Sequence, residues 1–468
     1  MKFKIYHLLF FVLLFFVFPC KHSFPQEYTM PSFIDAMTSY DFDSDGFNDI
    51  IVSCPYSDTI VIMFNDGVGN FSLYYYTRSS GSSILCGLVD NDTLPDLITL
   101  SAEGISFLKN MGQRNLGENQ TIYNTSGTLY VTVIKDLNKD NFNDLIYTNT
   151  YPECWGILKN NGDLNFTSKF FHSGSSTTMP YAGFLDIDSL PDIVLSYSAF
   201  NKSCVFLNNG NFNFTEVVLE DHFNHDTPIM NLDSAGTDDI GLVSYDVSDI
   251  SLFKYIGDEQ FELQSDFYAD GTYDIASFST DDLNRNGFDD FAITRCSWTN
   301  CTDSLYIYLN DYHWSFNLHQ RLYLGELSFF QLEFSDLNGD SFPDIYMKGC
   351  NGGDLLILLW NDGFGFFSYE NPVGVNAPQA GSRNNISAAP NPFLNNVTIT
   401  INAENAEDLF ISIYDMTGRK VKGLQPEGWS PFFTWDGHND SGLDCPAGMY
   451  LIFMEGNKYC YFTKVVKC

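Results

Sequence analysis

Seven short acidic strings recur along the sequence, and the spacing of their oxygen-bearing side chains suits a divalent cation. The clearest string spans residues 41–49 and carries carboxylates at its first, third, fifth and ninth positions: Asp41, Asp43, Asp45 and Asp49. Calcium takes about six to eight oxygen ligands at about 2.3–2.6 Å, which carboxylates, a backbone carbonyl and water can supply within one tight loop. A glycine at the sixth position permits the sharp turn. The string therefore predicts a calcium site.

Four of the seven strings keep an oxygen-bearing side chain at all four positions. The predicted calcium ligands are Asp41, Asp43, Asp45, Asp49, Asp136, Asn138, Asp140, Asp144, Asp282, Asn284, Asn286, Asp290, Asp336, Asn338, Asp340 and Asp344. The second and fourth strings have Leu88 and Phe184 at the first position, and the fifth string has Ala235 at the fifth position. Calcium binding by these three stays open, and an ordinary metal-free turn is the alternative for every string. An EF-hand is excluded because it needs Glu at position 12, where the first string has Val52.

The strings divide most of the chain into units of similar length. Their final aspartates are Asp49, Asp96, Asp144, Asp192, Asp239, Asp290 and Asp344, which lie 47, 48, 48, 47, 51 and 54 residues apart. An apolar run follows each string, and units end in an Asn- and Gly-rich turn followed by Phe, a pattern typical of β-hairpins. This period corresponds to four short strands, so we expect an all-β fold in which residues 30–372 form a seven-bladed β-propeller. An open solenoid is the alternative.

The charge of the chain restricts its partners. Its 468 residues include 23 Lys and Arg against 59 Asp and Glu, so the formal net charge is 23 − 59 = −36. Phosphate backbones repel such a chain, which excludes nucleic acid as a partner. Aromatic residues make up 16% of the sequence, which indicates a folded protein rather than a disordered acidic segment.

Residues 1–25 have the pattern of a signal peptide. Lys2 and Lys4 precede the apolar run 8–18, and polar residues follow it. That run is too short to span a bilayer, which takes about 20 apolar residues, and no later stretch is long enough. Cys20 lacks the small residue expected before a lipidated cysteine. We therefore expect an exported protein whose mature chain has no membrane-spanning segment.

The repeats resemble a known family. The Asp strings and the Asn/Gly–Phe endings, spread over about 340 residues, are similar to FG-GAP repeats, also called VCBS-like repeats. This family occurs in integrin α-subunit propellers and in many bacterial surface proteins. The resemblance implies calcium in the loops at one end of the propeller and ligand binding usually at the other end.

A different pattern closes the chain. Residues 373–387 have a linker-like composition, and residues 388–468 carry short alternating runs that predict a small Ig-like β-sandwich after the propeller. The second segment resembles the C-terminal sorting domain of the type IX secretion system of Bacteroidota, a relative of the FlgD Ig-like domain. The motifs that carry this resemblance are Ala389-Pro390-Asn391-Pro392-Phe393, Ile413 to Val421, Trp435-Asp436-Gly437, Pro446 to Tyr450 and Lys464 to Lys467.

That resemblance implies a route and a location. The type IX secretion machinery would be a partner through residues 388–468. The protein would cross the outer membrane and end at the cell surface or in the medium. An ordinary Ig-like module at the end of an exported protein is the alternative.

The sequence shows no local catalytic motif: HExxH, GxSxG and GxxxxGK[ST] strings do not occur. We therefore expect a non-enzymatic binding or adhesion module for an extracellular glycan or protein. A carbohydrate-active lyase or hydrolase on a propeller is one alternative, because catalytic groups spread over several blades leave no local motif, and a purely structural surface-layer component is another. Aromatic residues in the hairpins after the acidic strands could bind such a ligand or pack between blades: Tyr56, Tyr151, Trp155, Tyr197, Phe200 and Trp298.

Cysteines fall in or beside the same hairpins. Their positions suggest a disulfide Cys296–Cys301 within one hairpin, and disulfides Cys154–Cys204 and Cys54–Cys350 between neighbouring blades. Burial of these cysteines as small apolar side chains is the alternative.

Overall fold

The computed structural model divides the chain into two compact units, Met1–Gly374 and Val375–Cys468. It describes residues 26–369 and 386–467 apart from positions 79–80, 102–103, 125–126, 152, 163, 173–176, 178, 198–201, 221–225, 234, 245–248, 270–273, 297–303, 311–313, 325–328, 350–353, 391, 395, 402–409, 416–419, 425–431, 447 and 457–458. The predicted signal peptide and positions 373–385 of the predicted linker lie outside the described residues, and positions 386–387 belong to a strand of the second unit.

Strands form nearly all of the described secondary structure, as the sequence predicts, with one short 3-10 helix at Pro55–Ser57. In the first unit, β1 (Gln26–Thr29) precedes seven groups of four strands. The first three groups are β2 (Ala36–Tyr40), β3 (Asp49–Cys54), β4 (Thr59–Asn65) and β5 (Phe71–Thr77); β6 (Ile84–Gly87), β7 (Asp96–Ser101), β8 (Gly104–Leu108) and β9 (Gln120–Tyr123); and β10 (Leu129–Lys135), β11 (Asp144–Thr150), β12 (Glu153–Asn160) and β13 (Phe166–His172).

The remaining four groups of the first unit follow the same plan. They are β14 (Tyr181–Gly183), β15 (Asp192–Tyr197), β16 (Lys202–Asn208) and β17 (Phe214–Glu220); β18 (Ile229–Met230), β19 (Asp239–Ser244), β20 (Asp249–Gly257) and β21 (Gln260–Tyr268); β22 (Asp274–Asp281), β23 (Asp290–Cys296), β24 (Ser304–Asn310) and β25 (Phe316–Tyr323); and β26 (Phe329–Ser335), β27 (Asp344–Gly349), β28 (Leu355–Asn361) and β29 (Phe367–Ser368). Each of the first six groups forms one antiparallel sheet in chain order.

The seventh sheet combines the two ends of the first unit. Its order is β1-β28-β27-β26, and the short strand β29 also pairs with β28. Strand β1 pairs with β28 from Gln26 opposite Leu358 to Thr29 opposite Leu355. The repeat region therefore begins at residue 26 rather than at the predicted residue 30.

The middle strands of the sheets are buried on both faces, and their hydrophobic side chains fill the space between neighbouring sheets. In β3, Ile50 packs toward the seventh sheet, and Ile51 packs toward the second because successive side chains point to opposite faces. Similar clusters join each sheet to the next one along the chain. A further cluster with Tyr346 and Trp360 joins the seventh sheet to the first. The described sheets thus contact one another in a closed circuit.

The second unit consists of two antiparallel sheets around one core. Its strands are β30 (Ile386–Ala389), β31 (Val397–Ile401), β32 (Phe410–Asp415), β33 (Lys420–Leu424), β34 (Phe432–Trp435), β35 (Gly448–Gly456) and β36 (Tyr459–Lys467). The sheet orders are β30-β31-β34 and β33-β32-β35-β36. Phe393, Trp435 and Tyr450 belong to the shared core, and the Trp435 indole N–H donates to the carbonyl of His438 at 2.9 Å. Ile413, Val421 and Val465 belong to the same core, so all five sequence motifs contribute residues to it.

Two of the predicted disulfides are wrong. Cys54, Cys154 and Cys204 are buried free thiols, which excludes both Cys154–Cys204 and Cys54–Cys350. Burial raises the pKa of the Cys54 thiol to about 11 and that of the Cys204 thiol to about 12, as expected for small side chains in an apolar core. The predicted Cys296–Cys301 bond lies outside the described side chains.

Candidate metal centres

Each acidic string forms the loop between the first and second strands of one sheet, and we call these seven segments the acidic loops. The ninth residue is the first residue of the second strand, and all seven ninth-position aspartates are fully buried. Asp49 accepts the backbone N–H of Phe42 at 2.9 Å and that of Asn65 at 2.8 Å. Burial raises the Asp49 pKa to about 7. This carboxylate therefore ties its loop to the end of the third strand, and its remaining lone pairs can still face an ion.

The first-position aspartates close the complete loops. In the first loop, the two carboxylate oxygens of Asp41 accept the backbone N–H groups of Asp45 and Gly46, each at 3.0 Å. Asp136, Asp282 and Asp336 likewise accept backbone N–H groups from their own loops. These loops are thus held in a turn by their own first-position carboxylates.

The first loop brings its carboxylates together. One oxygen each from Asp41, Asp43 and Asp49 lie within 4.8 Å of one another. The Oδ1 atom of Asp43 is buried without a hydrogen-bond partner, while Oδ2 accepts the Nε–H of Arg114 at 2.9 Å. Arg114 pairs with Oδ2 alone of the two Asp43 oxygens, so the converging carboxylates still include a buried oxygen without a partner, which is costly unless a further cation joins them. The donor set and its charge fit calcium.

The other complete loops are less convergent. Among the described residues, the second loop is the other place where three carboxylates meet within that distance, and the third, sixth and seventh loops form no such group. In the sixth and seventh loops amide oxygens replace carboxylates: Asn284 and Asn338 each accept the backbone N–H two residues later at 3.0 Å. In the third loop, Lys159 Nζ lies 3.3 Å from Asp140 Oδ2. The ligand sets of these three loops stay predictions.

An asparagine at the end of the third strand links neighbouring sheets, a role that local sequence patterns did not reveal. The Asn160 side-chain amide donates to the carbonyl of Val89 in the second acidic loop at 2.8 Å. Corresponding bonds run from Asn65 to Leu337, Asn110 to Phe42, Asn208 to Leu137, Asn310 to Leu232 and Asn361 to Leu283. The fifth sheet has Tyr255 instead, and there Asp239 Oδ1 has no partner. The asparagines at the predicted turns therefore also join neighbouring sheets through their side-chain amides.

The hairpins at the opposite ends of the second strands hold two kinds of aromatic residue. Tyr56 and Tyr151 are 85% and 71% exposed. Trp155 is fully buried and stacks on Phe171 with ring centroids 4.2 Å apart, and Tyr197 is also buried. The packing alternative therefore holds for Trp155 and Tyr197, while Phe200 and Trp298 lie outside the described residues.

A cavity of about 820 Å³ lies among the seven sheets and is lined by residues from all seven repeats. Glu333 faces it from β26 and accepts the side-chain N–H of Gln331 at 3.2 Å. Lys348 also lines it and donates to the Asp35 carbonyl at 2.6 Å. Burial raises the Glu333 pKa to about 7. Nothing in the sequence distinguished this glutamate from the many other acidic residues.

Within the part of the chain that the structure describes, no helix has the length and apolar character needed to cross a membrane. No curated protein matches the chain. Among solved structures, a lectin from Agrocybe aegerita, described as recognising non-reducing terminal N-acetylglucosamine, is 16% identical, with a TM-score of 0.49 over 72% of this chain and 94% of the lectin.

Two further solved structures are similar to the chain. Virginiamycin B lyase from Staphylococcus aureus is 10% identical, with a TM-score of 0.46 over 71% of this chain and 97% of the lyase. PorZ, a surface component of the type IX secretion system of Porphyromonas gingivalis, is 14% identical, with a TM-score of 0.44 over 91% of this chain and 58% of PorZ.

The C-terminal unit has a match among protein families. The family described as the secretion system C-terminal sorting domain matches residues 387–468, one residue longer than the predicted segment. The chain therefore carries a type IX secretion sorting domain at its C-terminal end and is exported to the cell surface or secreted.

Proposed function

We propose that the protein is a cell-surface or secreted binding module: a calcium-bound seven-bladed β-propeller of the FG-GAP/VCBS type, delivered by an Ig-like sorting domain. The observation that carries the calcium proposal is the first acidic loop. Its Asp41, Asp43 and Asp49 oxygens converge, and the buried Asp43 Oδ1 has no partner. The closed circuit of seven sheets supports the propeller.

Calcium would act as a structural cofactor in the complete loops. Those loops already hold their turn through backbone N–H bonds to the first aspartate, as Asp41 and Asp282 show. The ion would then neutralise carboxylates that otherwise repel one another. Because six of the seven described acidic loops, all but the fourth, also accept an asparagine bond from the neighbouring sheet, an ordered loop would stiffen the junction between two blades.

The ligand would bind at the end of the propeller opposite the acidic loops. Exposed Tyr56 and Tyr151 lie on hairpins at that end, because each second strand runs from its acidic loop to its hairpin. Exposed aromatic rings at the rim of a rigid platform suit stacking on sugar rings or contact with an apolar protein surface. An extracellular glycan or protein is therefore the class of ligand.

Binding arrays test this proposal. The mature protein is applied to glycan and matrix-protein arrays with calcium and with chelator, beside a Tyr56→Ala/Tyr151→Ala variant. We expect saturable binding that requires calcium and weakens in the variant. Absence of saturable binding to either array, or binding that the double substitution leaves unchanged, would contradict the proposal.

The cavity favours one alternative function, a carbohydrate-active lyase or hydrolase. Glu333 faces this cavity with a pKa raised to about 7, a value suited to a general acid or base near neutral pH. The array experiment separates the two functions, because an enzyme would turn over a bound glycan and Glu333→Gln would abolish that turnover without abolishing binding.

A further inference from the structure

Lysine ammonium groups contact two of the acidic loops that lack a complete ligand set. In the second loop, Lys109 Nζ contacts Asp90 Oδ2 and lies 2.7 Å from Asp92 Oδ2. In the fifth loop, Lys254 Nζ contacts Asp233 Oδ2. Asp90 and Asp233 occupy the third position of their loops and Asp92 the fifth, which are positions of predicted calcium ligands in the complete loops.

The two lysines occupy the same place in their sheets. In each of these sheets, the residue after the ninth-position aspartate pairs with a residue of the third strand, and the lysine comes directly after that partner. Leu97 pairs with Leu108, which precedes Lys109, and Ile240 pairs with Phe253, which precedes Lys254. This place carries Phe64, Leu207, Leu309 and Trp360 in the first, fourth, sixth and seventh sheets. The repeat therefore offers a position from which a long cationic side chain reaches the loop.

The lysine changes the electrostatics of the second loop. Its Asp90, Asp92 and Asp96 oxygens lie within 4.8 Å of one another, so three carboxylates converge there without a first-position ligand. Lys109 Nζ reaches two of these three carboxylates, those of Asp90 and Asp92. In the first loop, which keeps Asp41 at its first position, Arg114 contacts Asp43 through Oδ2 and leaves the buried Asp43 Oδ1 without a partner. A cation of the chain itself thus neutralises more of the second loop than of the first.

We propose that the second and fifth acidic loops hold a lysine ammonium as an internal cation in the place where the complete loops take calcium. This inference rests on the proposed calcium binding of the complete loops. The lysine is covalently tethered, so its effective concentration at the loop is high and calcium has to displace it. The two loops keep their shape when calcium is removed, which leaves part of the ring independent of the ion.

The third loop shows why a lysine at this place does not by itself exclude calcium. Lys159 contacts Asp140 alone, at 3.3 Å. The loop also keeps Asp136, which accepts backbone N–H groups and closes the turn. The second loop has Leu88 at that position, 41% exposed, and the fifth loop lacks a ligand at its fifth position, where it has Ala235. Lysine therefore replaces calcium where the ligand set is incomplete.

Restoring the missing ligand separates the effect of the lysine from that of the ligand count. Leu88→Asp gives the second loop four carboxylates but keeps Lys109, and Leu88→Asp/Lys109→Leu removes the lysine as well. Phe184→Asp is the matched control, because the fourth loop also lacks a first-position ligand but has Leu207 in place of the lysine. Native mass spectrometry of the full mature chain counts the bound calcium ions.

We expect one additional calcium ion in the double variant and in Phe184→Asp, and none in Leu88→Asp. An additional calcium ion in the single variant Leu88→Asp would overturn the inference. So would an Asp92→Asn variant that binds one calcium ion fewer than the wild type. A melt in chelator tests the lysine without calcium. There Lys109→Leu should lower the melting temperature by about 2 °C, and Lys159→Leu should have less effect. Equal melting temperatures for these two variants would also overturn the inference. A wild-type protein that binds no calcium would instead refute the proposed function.

Discussion

Replacing Asn160 by alanine should destabilise the first unit through the junction of its second and third sheets. Asn160 is fully buried, and its side-chain N–H groups donate to the carbonyls of Val89 at 2.8 Å and Asn143 at 3.2 Å. Its Oδ1 accepts the backbone N–H of Gly162 at 3.0 Å. Three hydrogen bonds, two of them buried and the Asn143 bond partly buried, at about 1 kcal/mol each give a loss of about 3 kcal/mol.

The expected change in melting temperature follows from the size of the unit. An unfolding entropy of about 2.1 cal/mol/K per residue over roughly 340 residues is about 0.7 kcal/mol/K, so the loss corresponds to about 4 °C. Differential scanning calorimetry measures it in calcium and in chelator. The shift should be similar in both, because none of the three bonds involves an ion.

Asn161→Ala is the control for this prediction. Asn161 is exposed, and its side chain donates to the Asn165 carbonyl and the Thr167 hydroxyl within one turn. Its replacement should cost less than about 1 kcal/mol. Equal melting temperatures for the two variants would refute the idea that the asparagine joins the sheets.

Two further predictions concern the cavity and the sorting domain. The raised pKa of Glu333, about 7 when folded, means that the stability it contributes is present at low pH and is lost as the pH rises through 7. Glu333→Gln should therefore be more stable than the wild type at pH 8, by about 1–3 kcal/mol after allowance for water in the cavity. It should lose this advantage as the pH falls from 7 to below 4.5, the ordinary pKa of Glu. A constant difference in melting temperature across that range would contradict the assignment. Deletion of residues 387–468 should retain the protein in the periplasm, and cell fractionation that finds undiminished surface display would count against sorting by this segment.

The acidic loops and the repeated four-strand unit could be predicted because their signals are local. Asp41, Asp43 and Asp45 lie within five residues, and an apolar strand follows them directly. The second role of Asp49 was less visible in the sequence. This carboxylate occupies a predicted ligand position and also accepts the backbone N–H of Asn65, 16 residues away. Sequence spacing indicates which side chains can converge but not which hydrogen bonds they already make.

Contacts between repeats could not be read from the sequence. The asparagine bonds join residues such as Asn160 and Val89, which lie 71 positions apart. The pairing of β1 with β28 depends on the closure of the whole circuit, so residues 26–29 showed no sign of belonging to the seventh sheet. The lysine contacts need the register of the third strand against the second, which places Lys109 beside Asp92 across a hairpin.

The effect of calcium on the melting temperature of the mature chain tests the central claim most directly. One saturated site at about 100 times its Kd adds about 2.7 kcal/mol, or about 4 °C for this unit. We expect chelation to lower the melting temperature by at least several degrees. Asp43→Ala should remove about 4 °C of the calcium-dependent increase, and Asp233→Ala, whose carboxylate Lys254 already contacts from β20, should remove little of it. An identical melting temperature with and without calcium would contradict the account.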